Sequence, residues 1–477
     1  MELVGRTREQ DLLNRCLESK ESEFVAVYGR RRVGKTFLVR QFFNNSFAFY
    51  ATGLADSPMK DQLRVFRQAL EEYSGRKVPA LTTWLDGFRE LIELLKNTAG
   101  PGKHVVFLDE LPWFDTPRSG FVAGLEYFWN SYASARDDII LVTCGSATSW
   151  MIDRLLRNRR GLHNRVTRRI RLNPFTLAEC EEFYRNRGIV MSRYQMVEAY
   201  MILGGVPYYL RQMDSRLSLA QNVDALCFAD EAPLRDEYRI LFASLFREPG
   251  RYQQVVEALA AKTSGLTREE ILRSTGLSDG GTTSQTLTEL EESGFVRRTT
   301  PFGATKRGAV YQLIDPFVLF HLSFMAQPQP PGFWGQFSVT PRHNAWAGLA
   351  FEQVCASHLP QIKQALGISG ISATASSWRS KPAPDSPNAQ IDLVIDRSDG
   401  CVNLCEMKYA ATEFTVTSQY AATLTARREL FRAQTHTRKA LFLTMVTPYG
   451  LTPNEYAATV QQSLTLDHLF MSGEPLL

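Results

Sequence analysis

Val25-Ala26-Val27-Tyr28-Gly29-Arg30-Arg31-Arg32-Val33-Gly34-Lys35-Thr36 is the stretch whose reading decides the fold. A short apolar run with buried-strand character feeds a loop opened by Gly29 and closed by Gly34, and Phe37-Leu38-Val39 begins an apolar helix. A glycine, four residues and then Gly-Lys-Thr is the phosphate-binding loop pattern. Glycines let backbone N–H groups turn inward around phosphate oxygens, and the following helix N-terminus adds partial positive charge. Gly29, Arg30, Arg31, Arg32, Val33, Gly34, Lys35, Thr36 and Phe37 are therefore the expected contact residues. Lys35 suits the β- and γ-phosphates of a nucleotide, and the Thr36 hydroxyl suits Mg²⁺.

Working outward, Thr7-Arg8-Glu9-Gln10-Asp11-Leu12-Leu13 reads as a capped amphipathic helix ahead of the first strand. Ser46-Phe47-Ala48-Phe49-Tyr50 reads as a second strand, and helical patterns fill the chain to about Leu95. In His104-Val105-Val106-Phe107-Leu108-Asp109-Glu110 an all-apolar strand ends in two carboxylates, where parallel sheets place their ligands. Asp109 is the expected Mg²⁺ ligand and Glu110 the group that polarises the attacking water. The plainer alternative is a strand stopping at a charged turn. Ile139-Ile140-Leu141-Val142-Thr143 is another buried strand, followed by Cys144-Gly145-Ser146. A polar side chain there can sit between the water and the γ-phosphate, which nominates Ser146, although serine is also common in turns. Eight arginines fall between Arg154 and Arg171, mostly as a solvated face. Arg165 stands apart, because it precedes the expected strand 166–172 and can stabilise charge on a transferred phosphoryl group.

A chain of 477 residues with 44% hydrophobic and 22% charged residues describes a soluble protein of about three domains. The net charge of +4 permits a nucleic-acid partner without arguing for one. Seven scattered cysteines with no CxxC pair fit reduced thiols, and Met1-Glu2-Leu3-Val4-Gly5-Arg6 lacks the apolar core of a signal peptide. With no apolar run of about 18 residues, the expectation is a cytoplasmic protein without a membrane span.

The first part of the chain resembles archaeal-type P-loop ATPases grouped with the STAND and AAA+ classes. The resemblance rests on Val4-Gly5-Arg6 with Glu9, the phosphate loop, Leu108-Asp109-Glu110, Cys144-Gly145-Ser146, Leu162-His163-Asn164-Arg165 and Leu172-Asn173-Pro174-Phe175. Before the arginine the family usually has Tyr-Gly, where this chain has His163-Asn164. It implies ATP as ligand and substrate, Mg²⁺ as cofactor, and homo-oligomerisation on ATP binding. It further implies that the Gly204-Gly205-Val206-Pro207 turn of a helical lid packs Pro207 near the adenine; by composition alone, Gly and Pro stop a helix there.

Residues 246–325 predict three helices and a hairpin, a winged helix, with Thr267 and Glu270 as a capping box. Arg297, Arg298, Lys306 and Arg307 on the wing favour DNA, whereas Glu289, Glu291 and Glu292 on the third helix oppose it. DNA contact and an intramolecular clamp or dimer surface both remain open. Gln327-Pro328-Gln329-Pro330-Pro331-Gly332 marks a linker.

Beyond it, Gln390-Ile391-Asp392-Leu393-Val394-Ile395-Asp396 and Cys401-Val402-Asn403-Leu404-Cys405-Glu406-Met407-Lys408-Tyr409 read as neighbouring strands. Period two puts Glu406 and Lys408 on one face, where Asp392 can meet them. Two carboxylates suit Mg²⁺ or Mn²⁺, and Lys408 would orient or deprotonate water. The constellation resembles the PD-(D/E)XK nuclease superfamily, from about Gly348 onward. That resemblance implies metal-dependent cleavage of nucleic acid by Asp392, Glu406 and Lys408, with accessory contacts from Glu352 and Gln419, although Glu352 equally suits a surface helix position. Residues 381–388 themselves read as a mobile loop just before Asp392, lying over the site. Such a fold also serves as a mere binding platform. The expected architecture is α/β throughout: a parallel-sheet P-loop core (1–172), a helical lid (173–245), a winged helix (246–325), a linker (326–345) and a restriction-endonuclease-like domain (346–477). The functional expectation is an ATP-driven switch that licenses action on DNA, with a regulator or scaffold as the alternative.

Overall fold

The computed structural model describes residues 3–98, 100–146, 148–156, 162, 164–304, 308–380 and 389–472. They form two compact units, residues 1–174 with 245–247, and residues 175–244 with 248–477. The strands are β1 (Glu23–Tyr28), β2 (Phe49–Thr52), β3 (His104–Asp109), β4 (Ile139–Gly145), β5 (Arg168–Arg171), β6 (Leu266–Thr267), β7 (Val296–Thr299), β8 (Val310–Leu313), β9 (Ala373–Arg379), β10 (Gln390–Arg397), β11 (Cys401–Met407), β12 (Ala440–Val446) and β13 (Gln462–Leu464).

In the first unit the described strands form one sheet in the order β2-β3-β4-β1-β5, parallel throughout. Both faces are covered, which is why β1, β3 and β4 read as apolar runs, whereas β2 alternates and the edge strand β5 carries arginines. From β1, Phe24 and Ala26 enter a core with Phe66, Trp84, Phe88 and Phe121. Val25 and Val27 enter the opposite one with Val33, Leu38 and Val39. The second strand begins later than its composition suggests. Asn44 and Asn45 both take left-handed backbone (φ 51° and 53°), so the turn consumes Ser46 and leaves Phe47 packed on Phe43 and Phe107. The last strand is likewise shorter than 166–172, although Thr167 and Leu172 still donate to Phe24 and Tyr28 of β1.

In the second unit, side-chain capping fixes where helices start. Thr176 with Glu179, Ser192 with Gln195, and Thr267 with Glu270 each form a reciprocal box opening Leu177–Asn186, Arg193–Leu203 and Arg268–Thr275. Pro249–Ala260, Arg268–Thr275 and Gly281–Glu292 accompany a small antiparallel sheet ordered β6-β8-β7. Residues 326–345, whose Pro and Gly read as a linker, carry the helical turn Phe333–Phe337 and bury Trp334 completely. Its backbone N–H donates to Asp224, and aromatic burial outweighs the loop-like composition.

The remaining sheet runs β13-β12-β11-β10-β9 and is mixed: β9, β10 and β11 pair antiparallel, whereas β11, β12 and β13 pair parallel. Phe431, Leu424 and Ala421 of the helix Ser418–Thr435 pack on Trp378, Val394 and Leu404. All seven cysteines are free thiols. Among the described residues no helix is long and apolar enough to cross a membrane.

Candidate functional site

The phosphate loop leaves the C-terminal end of β1, and its shape depends on two glycines. Gly29 has φ 141°, and a Cβ there would lie 2.3 Å from the carbonyl oxygen of Leu172. Gly34 has φ 91° and hands the chain to the helix Lys35–Phe42. Arg32 adopts φ 72°, a left-handed turn within the loop that a non-glycine residue rarely takes. Lys35 is buried, and its ammonium donates to the carbonyls of Gly29 and Arg30 at 3.0 and 2.9 Å. Burial pulls the Lys35 pKa below the usual lysine range, while Glu110, Cys144 and Asp109 oppose that shift. Arg30 and Val33 are buried, Arg31 and Arg32 half-buried, and Phe37 is exposed.

Asp109 ends β3 beside this loop. Its carboxylate accepts from the Thr36 hydroxyl at 2.9 and 3.1 Å and from the Glu110 N–H at 3.0 Å. Burial raises the Asp109 pKa, and the Thr36 hydrogen bond works against that rise. A hydroxyl and a carboxylate so close together form a hard-oxygen donor set that fits Mg²⁺. Glu110 sits in the left-handed region (φ 47°, ψ 49°), a strained backbone of the kind that gathers at functional sites. Its carboxylate accepts from the Ser146 hydroxyl at 2.7 Å and from the Ser146 N–H at 3.3 Å. Ser146, expected near a γ-phosphate, is thus the residue that holds Glu110 in place. Arg165 is exposed, just before β5.

Three contributors were given no role of their own in the sequence reading. Arg6, buried with φ 58°, donates to the Val33 carbonyl at 3.3 Å and braces the loop from the N-terminal segment. A Cβ on Gly53 would lie 2.7 Å from the Glu110 carbonyl oxygen. A Cβ on Gly145 would lie 2.7 Å from Met151 Sδ and 2.8 Å from Pro112 Cδ. The available signal was a glycine at the C-terminal end of each of two strands, directly after β2 and as the last residue of β4, where the turn carrying Glu110 needs bare backbone to pack against.

Residues 3–213 match the ATPase domain described as predominantly from Archaea. The matched span takes in the sheet, the loop, Asp109, Glu110 and the Gly204-Gly205 turn. An uncharacterized protein of Methanocaldococcus jannaschii is 24% identical over 367 residues, covering 76% of this chain and 78% of that protein. An uncharacterized ATP-binding protein of the same organism is 40% identical over 42 residues, 9% of this chain and 71% of that protein. A Walker-type ATPase of Pyrococcus abyssi matches in structure with a TM-score of 0.50 at 18% identity, over 68% of this chain and 96% of that one. The likeness establishes an α/β fold with a parallel-sheet core of the P-loop ATPase kind.

Gly205 and Pro207 belong to the second unit. The Gly205 carbonyl accepts from the Phe175 N–H at 2.6 Å, and a Cβ on Gly205 would lie 1.9 Å from the Phe175 oxygen. Pro207 opens the short helix Pro207–Leu210, whose buried Tyr209 donates to Glu237 at 2.7 Å.

The C-terminal constellation does assemble. The register Leu393↔Cys405, carried one residue further, sets Asp392 opposite Glu406. Asp392 also lies where the β9–β10 register slips between Ile391 and Val394, a bulge of the kind that re-aims side chains beside active sites. Both oxygens of the buried Glu406 are engaged: Oε1 by Tyr420 and Lys408 at 3.0 and 2.9 Å, Oε2 by Arg427 at 2.9 Å. Burial raises the Asp392 pKa, and burial with the nearby Asp392 pushes Glu352 up to about 8. Among the described residues, no group of three or more His, Cys, Asp or Glu side chains is placed to hold a metal ion. Residues 381–388, with the expected loop, and Lys306 and Arg307 of the expected wing lie outside the described residues.

Of the third helix's carboxylates, Glu289 accepts from Tyr252 and from Gln285. Arg298 is exposed, its guanidinium over the Tyr311 ring, and Arg297 is half-buried. The two arginines therefore face different surroundings, although the sequence grouped them together.

Proposed function

We propose that the ATPase domain binds ATP with Mg²⁺ and hydrolyses it as a conformational switch. The observation carrying this reading is the convergence, at the C-terminal ends of β1, β3 and β4, of Lys35, the Thr36–Asp109 pair and the Ser146–Glu110 pair. Lys35 and the loop N–H groups bind the phosphates. Thr36 and Asp109 would hold Mg²⁺, which would neutralise charge on the phosphate oxygens. Glu110, steered by Ser146, orients the attacking water and accepts its proton. Arg165 stabilises charge on the transferred phosphoryl group, and Pro207 reports the adenine. A switch of this kind works only through contacts that differ with and without the γ-phosphate, and ATP-driven homo-oligomerisation is one outlet for it. Saturable uptake of labelled ATP that disappears in Lys35→Ala is the test; equal uptake by both proteins would remove the reading.

For residues 246–477 we propose a winged helix followed by a PD-(D/E)XK nuclease-like domain acting on DNA, with Asp392, Glu406 and Lys408 as its site. The bulge at Asp392 and the shared face with Glu406 and Lys408 support it. Metal-dependent cleavage requires Glu406 to exchange its Arg427 and Lys408 partners, because carboxylate oxygens committed to cations are poor ligands. Those ion pairs favour the second reading, in which the domain is an inactive platform and the protein an ATP-dependent regulator or scaffold. Labelled DNA with Mg²⁺ or Mn²⁺ is expected to be cut by the wild type, and about a hundredfold more slowly or worse by Asp392→Ala and Lys408→Ala. Equal cutting by all three, or none under any metal and nucleotide condition, decides for the platform.

A further inference from the structure

Within the second unit a cavity of about 430 Å³ lies between the small β6-β8-β7 sheet and the C-terminal sheet. It falls in the range of roughly 300–1,000 Å³ typical of small-ligand sites. Arg297 and Thr299 of β7 and Gln312 of β8 line one side, while Glu352, Gln390 and Asp392 line the other. Among the described residues no aromatic side chain lines it, so recognition by them runs through charge and hydrogen bonds rather than stacking.

Arg297 is the residue that gives the cavity its meaning. It is half-buried in this wall, and among the described residues it has no ion-pair partner. Burial lowers its pKa, and no carboxylate contributes an opposing effect. A partly desolvated guanidinium without an anion is unfavourable, and arginine is the side chain best shaped to receive a phosphate. Of the two facing acids, Asp392 is held by a neighbouring amide, and burial pushes Glu352 up to about 8, which leaves it largely uncharged at neutral pH. Arg379 donates to Gln390 at 3.1 Å, and Gln390 donates to Asp392 Oδ1 at 2.6 Å. Gln312 is pinned to the Thr263 carbonyl at 2.7 Å, which fixes the wall beside Arg297.

We propose that this cavity binds a phosphate ester the size of one nucleotide, with Arg297 receiving the phosphate and the hydroxyl and amide side chains receiving the rest. The ester is either a free nucleotide or the terminal residue of a nucleic-acid strand. The small sheet then supplies part of a pocket that also contains Asp392, rather than offering Arg297 to DNA on the outer surface. The inference depends on neither ATP hydrolysis nor strand cleavage.

The test uses the full-length chain carrying Lys35→Ala, which removes the phosphate-loop ammonium, in EDTA so that nothing is cut. Thymidine 5′-monophosphate, a 5′-phosphorylated oligothymidine and inorganic phosphate are titrated by calorimetry. Arg297→Gln is expected to weaken the monophosphate or the oligonucleotide by at least about tenfold, as for a lost charge-assisted hydrogen bond. Arg298→Gln, on the same strand but exposed, is expected to change either by less than about twofold. Arg297→Lys, which keeps the charge and loses the fork, should fall between, and it keeps the test decisive if glutamine destabilises the fold. Arg297-dependent binding of the mononucleotide alone assigns the free nucleotide, and stronger Arg297-dependent binding of the oligonucleotide assigns a strand end. Binding that is equal in the Lys35→Ala chain with and without Arg297→Gln, or absent for all three probes, overturns the proposal.

Discussion

Glu110→Gln is expected to lower ATP turnover by about 10²–10⁴-fold while changing ATP affinity by less than about threefold. Glutamine keeps an oxygen that can accept from the Ser146 hydroxyl, so the left-handed turn at residue 110 and its packing on Gly53 survive. What disappears is the carboxylate's ability to take a proton from water. Phosphate release and equilibrium binding of labelled ATP, measured on the same preparation, separate the two effects. Unchanged turnover would remove Glu110 from the chemistry and leave its strained backbone without a functional account.

The second large effect concerns the fold. Gly205→Ala is expected to destabilise the second unit by at least about 3 kcal/mol, since overpacking of this severity cannot be absorbed by a side-chain rotation. The new methyl would meet the Phe175 carbonyl oxygen at 1.9 Å, and that residue's N–H is itself bonded to the Gly205 carbonyl. Relief means breaking a backbone hydrogen bond or moving the start of the unit. Gly250→Ala is the control: nothing lies within 4 Å of a Cβ there, and the residue is in a helix. It is expected to be neutral or stabilising by up to about 1 kcal/mol. Denaturant midpoints compare the two, and a Gly205→Ala protein as stable as the control would show that the turn is not held by this contact.

The sequence made the phosphate loop legible because each of its parts has a fixed chemical reason to stand at a fixed spacing. The carboxylates at the end of β3 were legible only because a phosphate loop precedes them, since Asp109-Glu110 alone reads as a strand stopping at a charged turn. What stayed hidden depends on distant neighbours. Ser146 holding Glu110 joins residues 36 positions apart, and nothing local to either announces the pair. Arg6 and Gly53 act through close approach, which composition does not record. Arg297 and Arg298 looked alike as a basic pair, yet strand alternation sends them to different surroundings. The run of Pro and Gly near residue 330 read as a linker because the burial of Trp334 depends on partners far along the chain. At the C-terminal site, alternation rightly put Glu406 beside Lys408, but it could not reveal that Arg427 and Tyr420 would also claim that carboxylate.

The central claim is that a triphosphate seats in the loop around Lys35, and equilibrium uptake of labelled ATP with Mg²⁺ tests it most directly. The account predicts saturable binding by the wild type and a loss of at least about a hundredfold in Lys35→Ala, since a buried ammonium is hard to replace as a phosphate partner. Uptake that does not saturate, or that is the same in both proteins, would contradict it.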